Sequence, residues 1–409
     1  MTTAINTSFR QFVLPVAILL ALTACERGPV GIFASIEQEV EIQEGNLLKD
    51  VAVNGMVEAD GYYFAAVGGR IRYRPVSGDE SDWSSISNPS GYRTNHSRPT
   101  SIVHIDPGGA GDAIYVSFVE GERKRSGVYQ LDPVGRSYNA AGSLGSGVHV
   151  TRLFALGAEL FGSIQFKDED DDPEFELWYL GAGGGASLDT AASISTDVGR
   201  QARPFISAAA NGTDDFWFIT SSSVFHTAAA AGQLANIGKP ADIGTSLGGI
   251  FFNANDLYLS SRDGRTVRGG STGYVSRDAG GANPTDPSEW TTIITANDRA
   301  FTEFASADGA HFATLDDVFD DGVLFVGTYR TLSGRTVVSP GGYMEIPGPL
   351  FGSVRRPAGN NYQSAEISKA AVMQIFIPGQ ANTIFALTGG RGLWRGEYDS
   401  DGETTWYWE

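Results

Sequence analysis

Cysteine is almost missing from this chain: Cys25 is the only one in 409 residues. No intrachain disulfide can form, so the fold stands on its apolar core. Histidine is sparse too, and His96, His104, His149, His226 and His311 are scattered without the spacing of ligands that converge on zinc. Cations are outnumbered, with 29 Lys and Arg against 48 Asp and Glu and a formal charge of -19. That imbalance argues against nucleic acid or an anionic lipid surface as a partner, because both reward a basic face. Beyond residue 24 no stretch approaches the ~18 consecutive apolar residues of a membrane-spanning helix. A phosphate-cradling Gly-rich loop with its Lys is also missing. Glycine, by contrast, reaches 52 residues, about twice ordinary usage, while charged residues make up only 19%. A chain of this composition is rich in turns and built from β-strands.

Arg10 is the one charged residue ahead of the apolar run Phe12 to Leu22. The run is shorter than the about 20 residues that span a bilayer as a helix, and it reads as the core of a signal peptide. Leu22-Thr23-Ala24-Cys25 follows, small residues leading to the lone thiol, and this resembles the bacterial lipobox. The resemblance implies cleavage before Cys25 and lipidation of its thiol, which would anchor the chain to a membrane without spanning it. Glu26, where an Asp would favour inner-membrane retention, points by the same resemblance to the outer membrane of a cell envelope, on an unspecified leaflet. The expected organisation is a signal peptide over 1–24, a lipidated tether with a short acidic segment over 25–48, and a main domain over 49–409. The acidic segment is expected to be helical around Ala34 to Ile42.

The main domain repeats itself. An aliphatic-aromatic strand, a polar or Gly turn and a second strand built around an aromatic return seven times, the first strands beginning at Tyr62, Ala113, Glu159, Asp215, Asp256, Val323 and Thr383. Their partners begin at Arg70, Gly127, Glu176, Ser223, Gly273, Gly342 and Gly392. An apolar strand precedes each hairpin, and Trp-led strands follow at Asp82, Glu289 and Thr404. Four short antiparallel strands per unit describe the blade of a β-propeller. The reading is therefore an all-β chain with a single β-propeller of seven blades, each of four antiparallel strands. Two β-sandwiches would also show short strands at regular spacing.

Two turns resemble the Asp-box of BNR-type propellers, a group that includes sialidases and sortilin-like receptors. Asp399-Ser400-Asp401-Gly402-Glu403-Thr404-Thr405-Trp406 keeps the Asp, Thr and Trp of that motif, and Ser276-Arg277-Asp278-Ala279-Gly280 is a partial second copy. In that family the motif serves folding, so the resemblance implies architecture and no activity.

Chemistry is harder to find. Gly269-Gly270-Ser271-Thr272-Gly273 matches Gly-x-Ser-x-Gly, but the serine leads into a hairpin strand where a nucleophile elbow needs a helix. The run from Asp168 to Glu174 alternates carboxylates, with Asp168, Asp170 and Asp172 as calcium candidates, yet it lacks the central Gly and distal Glu of a calcium loop. No other cofactor is implied. Sialidases, which need an arginine triad, a Tyr-Glu pair and an Asp, usually show an Arg-Ile-Pro phrase near the first blade, and Arg203-Pro204 is not that phrase. One pattern remains: Arg98, Arg203, Arg299 and Lys369 each stand nine or ten positions before the turn that ends an innermost strand. At the mouth of a propeller channel, four such cations would form an anion-attracting ring. The expected function is a membrane-anchored, non-catalytic scaffold for an envelope protein partner. The alternatives are a binding protein for an anionic small molecule or acidic glycan at the channel mouth, and thirdly a glycan hydrolase or lactonase.

Overall fold

A computed structural model describes residues 48–93, 96–105, 113–121, 125–144, 147–167, 172–182, 186, 188, 190–239, 246–253, 256–261, 300–307, 311, 323–329, 342–347, 367, 370–398 and 404–409. They belong to one compact unit, Leu47–Glu409. Its strands form seven sheets, each an antiparallel meander of consecutive strands. The first holds β1 (Val53–Ala59), β2 (Tyr62–Val67), β3 (Arg70–Pro75) and β4 (Ser84–Ile86). The second holds β5 (Ser97–Ile105), β6 (Ala113–Glu120), β7 (Arg125–Asp132) and β8 (Ser137–Leu144). The third holds β9 (His149–Leu156), β10 (Glu159–Lys167), β11 (Pro173–Ala182) and β12 (Ala192–Ser193). The fourth holds β13 (Ser207–Ala210), β14 (Phe216–Ile219), β15 (Val224–Thr227) and β16 (Ala235–Gly238). Two strands make the fifth, β17 (Leu247–Asn253) and β18 (Asp256–Ser261), and three the sixth, β19 (Ala300–Ala307), β20 (Val323–Tyr329) and β21 (Tyr343–Pro347). The last holds β22 (Val372–Phe376), β23 (Thr383–Thr388), β24 (Leu393–Tyr398) and β25 (Thr404–Trp408).

The first strand of each sheet contacts the first strand of the next, and β22 returns to β1. That closed circle is the arrangement of a β-propeller, and a pair of β-sandwiches would not produce it. The expectation of seven four-stranded blades is corrected: among the described residues five sheets have four strands, one has three and one has two. The shortfall falls after β18, where 262–299 follow, and after β21, where 348–366 follow. Those segments carry the strands expected at Gly273 and Glu289, the Gly-x-Ser-x-Gly run and the partial Asp-box at Ser276, and lie outside the described residues. The Asp-box turn 399–403 is likewise outside them, between β24 and β25. So are residues 1–47, with Cys25, the lipobox and the expected acidic helix. Among the described residues no helix is long and apolar enough to cross a membrane.

The apolar second strands follow from the packing. Successive side chains of a strand point to opposite faces, and β2, β6, β14 and β23 have both faces covered by neighbouring sheets. Phe64 and Ala66 pack with Ile114, Val116 and Phe118 of the second sheet, while Tyr63, Ala65 and Val67 pack with Phe385 and Leu387 of the last. Tyr115 turns away from Phe118 to join Leu160 and Ile164. Phe216 and Phe218 meet Phe161, and Trp217 and Ile219 meet Leu257 and Leu259. The core is thus a series of layers between sheets, and a strand buried on both faces reads as an unbroken apolar run.

A second set of contacts runs round the circle. The Asn54 amide donates to the Pro99 carbonyl at 3.0 Å, and the Thr100 hydroxyl to the Val150 carbonyl at 2.9 Å. Ser163 Oγ accepts from the Phe205 N–H and Ser207 Oγ from the Ile250 N–H, both at 3.3 Å. Ser260 donates to the Thr302 carbonyl at 2.8 Å, and Thr302 to the Val372 carbonyl at 3.1 Å. The Gly392 N–H, at the head of β24, reaches the Val51 carbonyl at 3.0 Å and completes the girdle. Its tightness demands glycine at Gly249, where a Cβ would stand 2.7 Å from the Thr302 carbonyl oxygen.

At the junction of last and first sheets, Arg74 on β3 meets Glu409 after β25 through two parallel bonds of 2.8 and 2.9 Å, with both side chains fully buried. Trp83 Nε1 donates to the same carboxylate at 2.8 Å. Deleting one partner of a buried, forked pair leaves an uncompensated charge and costs about 3–5 kcal/mol. Arg74→Met and Glu409→Gln are each expected to lower the free energy of urea unfolding by about 3 kcal/mol. A loss under about 1 kcal/mol in both would show that apolar packing alone holds the junction.

Candidate functional site

The innermost strands are irregular at a common level. Register shifts fall in β1 between Val53 and Met56, in β5 between Pro99 and Ser101, in β17 between Leu247 and Gly249, in β19 between Phe301 and Phe304, and in β22 between Val372 and Gln374. In β9 the pairing skips Thr151. A bulge bends its strand and redirects a side chain. Here the bulged residues include Asn54, Thr100 and Thr302 of the girdle, and Thr151, which donates back to the Ser163 carbonyl at 3.0 Å. Neighbouring residues then face the channel.

Two of those neighbours are charged. Arg152 on β9 and Glu303 on β19, from the third and sixth sheets, form an ion pair across the channel. A cavity of about 430 Å³ lies on the side where the innermost strands begin, bounded by Ala52, Thr100, Thr151, Met373 and Gly389. Another, of about 300 Å³, lies beyond the pair against Phe154, Phe251 and Phe252. Asn54, Arg152, Glu303 and Gln374 border both. A third cavity, of about 570 Å³, opens where the strands end, beside Glu58, Asp60, His104 and Gly379. There Glu58 accepts from the Gly379 N–H at 2.8 Å. Burial first, and then this Glu58 carboxylate, push the nearby Tyr63 phenol well above its ordinary range, so it stays a neutral donor to Gln380.

Of the four cations expected to ring the mouth, two can be placed. Arg98 is exposed at the start of β5, and Arg203 is exposed in the bend leading to β13. Neither makes an ion pair with a described residue. Arg299 and Lys369 lie outside the described residues, as do Asp168 and Asp170 of the acidic run; Asp172 is exposed before β11. The histidines stay apart. His226 pairs with Asp215 and stacks on Trp217 at 4.4 Å, and His311 Nε2 donates to the Thr383 carbonyl at 2.9 Å. Among the described residues no three His, Cys, Asp or Glu side chains converge as a metal site would require.

Arg152, Glu303, Gln374 and Asn54 escaped the sequence reading, which counted back from turns to the mouth and passed over the bulge. Their signal is a column: Asn54-Gly55, Thr100-Ser101, Thr151-Arg152, Thr302-Glu303 and Met373-Gln374 align when the bulges are superposed. The first residue of each pair sits in the bulge; Arg152, Glu303 and Gln374, each second in its pair, border the channel cavities, and Asn54 borders them from its bulge.

No family model matches the chain, and no curated protein matches it. The chain is similar to a solved structure described as the extracellular domain of a hybrid two component system from B. thetaiotaomicron, with 14% identity over 84% of this chain and a TM-score of 0.50. It spans only 39% of that chain's length. A structure described as a 6-phosphogluconolactonase from Bacteroides fragilis shares 11% identity over 88% of this chain and 94% of its own, with a TM-score of 0.49. At such identities the likeness is one of fold. The closed circle of sheets is what places the chain in the class of β-propellers.

The cross-channel pair is a strut as well as a charge. In a double-mutant cycle with Arg152→Ala and Glu303→Ala, read by urea unfolding, the two sites are expected to couple by about 1 kcal/mol. Strict additivity would mean that the pair contributes nothing to holding the third and sixth sheets together.

Proposed function

We propose that this chain is a lipid-anchored envelope lipoprotein whose propeller is a non-catalytic scaffold for a protein partner. Cys25 is the attachment point, and Glu26 directs the protein to the outer membrane. The observation that carries the reading is the pair of exposed arginines, Arg98 and Arg203, at the entrances to two innermost strands of a protein with a net charge of -19. On an acidic surface, cations without ion-pair partners form a local attractive field and favour an acidic surface on the partner. Arg299 and Lys369 extend the same ring in this reading. The two placed arginines equally favour a second reading, in which the mouth captures an anionic small molecule or an acidic glycan through guanidinium forks.

Metabolic labelling with palmitate is expected to mark the wild-type protein and leave Cys25→Ser unmarked and released from the membrane fraction. Label that persists on Cys25→Ser removes the lipoprotein assignment. The mouth is tested with the lipidated protein purified from detergent-solubilised membranes, beside a folded Arg98→Glu, Arg203→Glu variant. A stoichiometric envelope protein should co-purify with the wild type and be lost from the variant. Equal retention by both would move the interface away from the mouth, and no co-purifying protein would overturn the scaffold reading in favour of the anionic ligand.

A further inference from the structure

The ion pair inside the channel leaves most of its hydrogen-bonding capacity unused. Arg152 Nη2 engages Glu303 Oε2, which leaves guanidinium donors on one partner and Oε1 on the other without a described partner. Gln374, half-buried beside them, makes no hydrogen bond with a described residue, and Asn54 uses its amide nitrogen on Pro99 while its amide oxygen remains. These four side chains come from four different sheets and border both channel cavities. The site is therefore a convergence of donors and acceptors with no net charge.

That balance selects a ligand class. A guanidinium beside a carboxylate offers a donor next to an acceptor, and a hydroxyl can accept from the first while it donates to the second. Two adjacent hydroxyls complement the pair without breaking it. An anion would be repelled by Glu303 and an amine by Arg152, so each would forfeit much of what it gains from the opposite partner. The cavities, of about 300 and 430 Å³, fall at the small end of the range of ligand sites. Phe154, Phe251 and Phe252 border the smaller cavity beside its polar groups, leaving some apolar surface for the C–H face of a sugar ring. We propose that the channel binds a small neutral polyol of monosaccharide size, its adjacent hydroxyls bridging Arg152 and Glu303 and further hydroxyls meeting Asn54 and Gln374. Neither Arg98 nor Arg203 borders either cavity, so the site does not depend on them.

Isothermal titration calorimetry of the full chain tests this with glucose, galactose, mannose, xylose and N-acetylglucosamine, and with glucuronate and glucosamine as charged controls. At least one neutral sugar is expected to saturate the protein at about 1 mM or below and to bind about tenfold more tightly than either control. Glu303→Gln and Gln374→Ala should each weaken that sugar about tenfold, and Arg98→Glu, Arg203→Glu should leave it unchanged. Gln374→Ala removes no hydrogen bond among the described residues, so it carries the test alone if Glu303→Gln does not fold. Absence of saturation by every neutral sugar up to about 50 mM overturns the proposal. So does a charged control that binds as well, or a folded Gln374→Ala protein that binds undiminished.

Discussion

A propeller has to close, and here each four-stranded sheet is built from one contiguous piece of chain. Among the described residues no strand of the last sheet is borrowed from the first, so beyond the Gly392 N–H bond to the Val51 carbonyl and the Ala52–Gly389 bridge the joint between them rests on side chains. Arg74 and Glu409 supply its polar part. The guanidinium donates twice to the carboxylate and, through Nη1, to the carbonyls of Pro75 and Gly78 at 3.0 and 2.8 Å. Its faces are covered by Tyr63, Trp83 and Phe385, with ring centroids at 4.9, 5.4 and 5.9 Å. Burying an ion pair is unfavourable unless geometry and hydrogen bonding are nearly complete, and here nearly every donor is used. An apolar pair would tolerate a slipped joint; a two-point fork has one geometry.

The girdle of hydroxyls and amides works on the same problem at smaller scale. Adjacent sheets of a propeller meet mainly through apolar layers, and apolar contact is non-directional. A hydrogen bond from one innermost strand to the backbone of the next fixes height as well as distance. Bulges make this possible because the extra residue is free of the ladder. Thr302 shows the economy of the device: its hydroxyl reaches the Val372 carbonyl while its own carbonyl accepts from Ser260. Glu303, next in the chain, then inherits a direction towards the channel. The residue that aligns two sheets thus also aims the residue that could touch a ligand.

Strand positions were legible because they rest on local chemistry. Tyr62–Val67, Ala113–Glu120 and Thr383–Thr388 read as apolar runs because both faces are buried, and their partners followed by turn spacing. The ring itself was legible through repetition. The joint was not, since Arg74 and Glu409 stand 335 positions apart and neither residue is unusual in its own neighbourhood. The channel was not legible for a different reason. Counting from turns assumes a regular strand, and a bulge displaces the count by one, which flips the face of every following side chain. Nothing in the sequence around Arg152 therefore marks it as a channel residue, while it sits across from Glu303.

The two cationic features differ physically in ways that bear on what each can bind. Arg152 is partly buried and already neutralised, so its field is short and its directionality high; what it offers is donor geometry. Arg98 and Arg203 are exposed, and their attraction acts over the about 8 Å that salt permits at physiological ionic strength. Long-range attraction helps an encounter and contributes little to discrimination among similar anions. Discrimination needs desolvated, oriented groups, which this chain places inside the channel. A large charged partner at the rim and a small uncharged one within are thus compatible on the same ring, because the forces that select them act at different distances.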